Sequence, residues 1–137
     1  MDYVIDLDPT HLILRVTIGK VLTDELSQEI YRTVKRLASR GGPFAGIFDL
    51  SKVEDDRVSP EVAAEQAVSN PPIPGQRLCV LVAKRPVVYE HFRMVELTRN
   101  WMGGQTELVA SMDEAYRLLG VRPEDFSERL FLKKLAA

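Results

Sequence analysis

One short apolar run, Phe44 to Leu50, lies between the helix stop Gly41-Gly42-Pro43 and the helix start Ser59-Pro60-Glu61. It constrains the fold more than any other feature of the chain. Seven residues bounded by turn and cap signals are too short for a helix and have the length of a buried strand. With helical patterns on both sides, the run forces strands to alternate with helices. That order calls for parallel pairing through crossovers.

The rest of the chain continues the alternation. Residues 3–7 and 11–18 read as strands, the second alternating Leu12, Leu14, Val16 and Ile18 against Ile13, Arg15 and Thr17. Asp8-Pro9-Thr10 turns between them, so the chain opens on an antiparallel hairpin. Thr23 or Asp24 caps a helix over 24–40, whose apolar residues Leu26, Ile30, Val34 and Leu37 recur at spacings of three and four. Ser59, followed by proline at the first helical position, opens a helix over 60–69 that the Asn70-Pro71-Pro72-Ile73-Pro74-Gly75 segment ends.

Arg77 to Ala83, the most continuous apolar run, reads as a central strand. Pro86 starts a helix over 86–102 with Val88, Phe92, Val95 and Met102 on one face, widened by Leu97 and Trp101. A strand over 106–110 precedes the capping box Ser111-Met112-Asp113-Glu114, which opens a helix over 112–119. A final helical extension is expected over 123–136, with Phe126, Leu130 and Phe131 or Leu135 free to dock. The expected fold is therefore a single α/β domain over 1–137. Its mixed sheet begins with the antiparallel hairpin, continues in parallel strands and carries about four helices.

Composition narrows the function. Eighteen basic residues against twenty acidic leave a net charge of -2, with no block of five or more like charges, which argues against nucleic acid and anionic lipid as partners. The single cysteine, Cys79, sits in an apolar run and excludes a disulfide framework. No stretch approaches the ~18 apolar residues of a membrane span, and the N-terminus lacks a basic, then apolar, leader pattern. The expected compartment is the cytoplasm, without membrane insertion.

The element order, read with Gly46-Ile47-Phe48-Asp49-Leu50-Ser51-Lys52-Val53 and Ala83-Lys84-Arg85-Pro86-Val87-Val88-Tyr89, resembles the STAS-like (SpoIIAA-like) family over most of the chain. That family is named for sulfate transporters and anti-sigma factor antagonists. The second half is similar to small bacterial STAS/SEC14-type members, in which a helix like that of Phe92-Arg93-Met94 precedes a strand and a helix like Asp113-Glu114-Ala115-Tyr116-Arg117-Leu118. The resemblance implies a SpoIIAA-like fold and a non-enzymatic regulatory or interaction module with a protein partner. In phosphorylated members the loop after the strand matching Ile47–Leu50 carries Asp-Ser-Ser-Gly or a variant, and alignment on Asp49 brings Ser59 near its serine. Here the loop reads Asp56-Arg57-Val58-Ser59-Pro60-Glu61, with valine at the paired hydroxyl and no glycine.

Asp49, Ser51, Asp56 and Ser59 are thus the candidate regulatory or interaction residues. A phosphate on Ser59 would gain from the helix dipole and be repelled by Glu54, Asp55, Asp56 and Glu61, so the serine is read as an N-cap. Glu54-Asp55-Asp56 lacks calcium-loop spacing, and His11 and His91 lack companion ligands, so neither metal nor cofactor is expected. Cys79, Ser51 and Ser59 lack a nucleophile signature, and His91 beside Glu90 is adjacency rather than a dyad, so no catalysis is expected. A second class of function is a pocket for a small apolar ligand or lipid beneath the third helix, at Tyr89, Phe92, Met94 and Trp101. The same apolar breadth suits a homodimer interface.

Overall fold

The computed structural model describes residues 1–74 and 77–134. Its strands are β1 (Tyr3–Asp8), β2 (Ile13–Ile18), β3 (Val21–Leu22), β4 (Ala45–Asp49), β5 (Asp55–Asp56), β6 (Cys79–Val82), β7 (Thr106–Val109) and β8 (Glu128–Lys133). Its helices are α1 (Asp24–Ala38), α2 (Pro60–Val68), α3 (Pro86–Trp101) and α4 (Met112–Leu119), with a 3-10 turn at Pro123–Asp125. The main sheet has six strands in the order β7-β6-β4-β2-β1-β8. The hairpin β1–β2 is antiparallel, and β2, β4, β6 and β7 run parallel. The expected mixed α/β sheet is what the chain forms.

The period-two alternation of the strands divides the core into two layers. Leu14, Val16, Phe48 and Leu81 face α1, α2 and α3, which contribute Ile30, Val34, Ala67, Val88 and Val95. Ile13, Ile47, Val80 and Val82 face the other way, onto Ala115 of α4 and onto Val121 and Phe126. The strand expected over 77–83 lies inside the sheet, between β4 and the edge strand β7.

Three expectations change. The strand expected from residue 11 starts at Ile13, because the Asp8 carboxylate accepts the amides of Thr10 and His11 at 3.0 Å each and draws them into the turn. The acidic stretch after β4 is no free loop: β5 pairs in parallel with β3, and the Arg57 amide donates to the Leu22 carbonyl at 2.8 Å.

The third change is the largest. The helical extension expected over 123–136 is a 3-10 turn followed by β8, antiparallel to β1; Leu135 lies outside the described residues. The outer edge of β1 offers unpaired backbone groups, and a strand satisfies them where a helix would not. Phe131 stacks on Tyr3 with ring centroids 5.1 Å apart, and Arg129 Nε reaches Asp6 at 3.1 Å. Asp6 is buried and also receives Arg15 Nη2 at 3.2 Å, so one carboxylate joins β1, β2 and β8.

Candidate functional site

The α1–α3 side of the sheet is not completely filled. Ile18 of β2, Phe48 of β4 and Leu81 of β6 form a floor, with Leu50 at the end of β4. Ser27, Ile30 and Tyr31 face it from α1, being three and four residues apart and so on one helical face. His91, Phe92, Val95 and Arg99 face it from α3 by the same spacing, and Gln66 and Pro72 complete the wall. They enclose a cavity of about 70 Å³, partly open to solvent.

Five polar side chains reach this apolar space, and four are engaged. Ser27 Oγ donates to Gln66 Oε1 at 2.8 Å, joining α1 to α2. The Tyr31 hydroxyl donates to the Asn70 carbonyl. His91 Nδ1 lies 2.5 Å from Asp56 Oδ2, both side chains largely buried, which fastens α3 to β5. Burial pushes the Asp56 carboxyl up, but the His91 hydrogen bond and charge, with the Val58 amide, outweigh it and hold the group below its ordinary value.

Arg99 is the exception. Its Nε is buried with no hydrogen-bond partner, and its guanidinium forms no salt bridge among the described residues. Burial lowers its pKa, a sign that the charge is desolvated without full compensation. Its neighbour Cys79 brings no negative charge, since burial pushes that thiol up to about 11.

The residues singled out in the sequence scatter. Asp49 is buried, and its Oδ1 accepts the Ser51 amide at 3.0 Å and the Ser51 hydroxyl at 2.6 Å, a closed turn that occupies both residues. Ser59 is the N-cap of α2: its Oγ accepts the Val62 amide at 3.2 Å, and its own amide donates to Asp24 Oδ1 at 2.7 Å. Of the four apolar candidates only Phe92 lines the cavity. Tyr89 packs into the core beside it, whereas Met94 and Trp101 point to solvent, Trp101 with 88% of its surface exposed. The apolar width of α3 thus belongs to two faces: Phe92 and Val95 turn inward, while Met94 and Trp101, seven residues apart, turn outward. Arg99 and the Asp56–His91 pair escaped the sequence reading, the first because an arginine near a helix C-terminus reads as solvated.

Two further constellations stand apart. The carboxyl ends of β2, β4 and β6 bring Lys20, Lys52, Lys84 and Arg85 around an open cleft that also contains Asp2 and Glu54. Asp8, His11 and Asp125 offer ligand atoms within 4.8 Å of one another. Each is already engaged: Asp8 holds the hairpin turn and His11 Nδ1 at 2.7 Å, and Asp125 accepts the Arg122 amide at 2.8 Å. Among the described residues no helix is long and apolar enough to cross a membrane. No family model matches the sequence, and no curated protein matches it.

Proposed function

We propose that the protein is a small-ligand-binding module whose ligand enters the space between α3 and the sheet. The observation that carries this reading is the cavity itself. It is apolar on its floor, with a few convergent polar groups on its walls, the composition typical of ligand sites. The Asp56–His91 contact supports it by fixing one end of α3, so that the wall of the site is held by a defined hydrogen bond. Binding rather than catalysis is the function proposed, in keeping with the STAS-like resemblance and its lipid-binding branch.

An amide NMR screen of short aliphatic and aromatic compounds on the intact protein tests this. Shifts are expected at Leu81, Phe92 and Val95. A folded Val95→Phe variant, which fills the space, is expected to lose them. A screen in which no compound moves these amides removes the reading.

A second reading, a regulatory module that docks a protein partner, draws on a different observation. Val87, Met94, Leu97 and Trp101 are exposed along the outer side of α3. Contiguous exposed apolar surface of this kind marks interaction sites. Light scattering at micromolar concentration, with Trp101→Ser as control, tests whether that partner is a second copy.

A further inference from the structure

We propose that the occupant of the cavity is a short-chain carboxylate, its alkyl group against Phe48, Leu81, Phe92 and Val95 and its two oxygens on the Arg99 guanidinium. This rests on the ligand-binding reading above and adds the chemical class of the ligand.

The charge balance of the site leads to it. Arg99 lines the cavity, and among the described residues its Nε has no hydrogen-bond partner and its guanidinium no salt bridge. A guanidinium presents paired N–H donors as a planar fork that matches the two oxygens of a carboxylate. Among the described residues no neighbour supplies the missing anion. The Cys79 thiol, raised to about 11, stays protonated at neutral pH, the Tyr31 hydroxyl is spent on Asn70, and the Asp56 charge is held by His91. One unmatched cation calls for one negative charge. A dianionic phosphate would bring a second charge into a site whose other walls are apolar, and burying it unpaired is costly.

Size sets the rest. A cavity of about 150 Å³ accommodates benzene, so the 70 Å³ here suits an alkyl group smaller than an aromatic ring, with longer chains reaching the open side. Isobutyrate and its neutral counterpart isobutanol have the same branched alkyl body and differ in the carboxylate.

The experiment titrates both compounds into the intact protein and into Arg99→Met, following the amides of Leu81, Phe92 and Val95. In the wild type isobutyrate is expected to bind at least about tenfold more tightly than isobutanol, the scale of one charge-assisted contact. In Arg99→Met the two are expected to bind alike. Equal binding in the wild type overturns the carboxylate assignment while leaving a ligand cavity in place. If neither compound moves those amides, the carboxylate assignment falls, and the wider screen above decides the ligand-binding reading. Should Arg99→Met not fold, the wild-type comparison alone decides.

Discussion

His91 Nδ1 and Asp56 Oδ2 meet at 2.5 Å across 35 residues of chain, and this contact ties the helix above the cavity to the strand β5 beside it. Because the folded-state Asp56 carboxyl lies below its ordinary value, it contributes stability above the unfolded carboxylate pKa of ~4 and loses it as pH falls through the folded value. Asp56→Asn is expected to cost about 1–3 kcal/mol at pH 7. The difference from wild type should shrink below pH ~4. Urea denaturation at both pH values checks the sign.

Ser59 is expected to behave as a cap and nothing more. Ser59→Ala should cost about 0.5–2 kcal/mol, while Ser59→Asp, which still accepts an amide and complements the dipole, should retain most of the stability. Chemical denaturation of the two variants measures this. A well-folded Ser59→Asp protein that loses a binding partner would instead establish the serine as a switch.

Arg99→Met is expected to stabilise the unliganded protein, by about 1 kcal/mol, because it removes a desolvated charge that lacks a full set of partners. Thermal melts of the two proteins without added ligand give the answer. A lower melting temperature would mean that the guanidinium is satisfied in the unliganded protein.

A side chain at Gly46 would displace Ile73: a Cβ there would lie 2.4 Å from Ile73 Cδ1. Gly46→Ala should cost about 1–3 kcal/mol by forcing Ile73 off the strand. Ile73→Ala in the same chain should cost less than the sum of the two single changes. A double-mutant cycle measures that coupling.

Cys79 is partly buried as a residue, but its thiol is raised to about 11 by burial. Alkylation at pH 8 is expected to be slow in the native protein and fast in denaturant, since the thiolate is the reactive form. Comparable rates in the two conditions would place the sulfur at the surface.

Most of the frame was legible in the sequence because its signals are local. Thr23, Ser59 and Ser111 each cap the helix they precede, and Gly120, at φ 68°, ends α4 in the left-handed conformation that glycine favours. β8 was hidden because its alternation is masked: Phe131 turns inward, but its outward neighbours Leu130 and Leu132 are apolar as well, so no period of two is visible. The site was harder still. His91 and Asp56 lie on separate elements, and whether an arginine at a helix end is solvated or buried depends on the packing of the sheet and α1 against it.

The pairing of β8 with β1 also sets an order of events. Asp6 and Arg129 are 123 positions apart, so during synthesis the first hairpin emerges long before the strand that covers its edge. Until then β1 presents open backbone groups, and the nascent sheet is exposed to pairing with other chains. Closure of this edge is a late, long-range step, and variants that weaken Arg129 or Phe131 are expected to reveal themselves first as aggregation during expression.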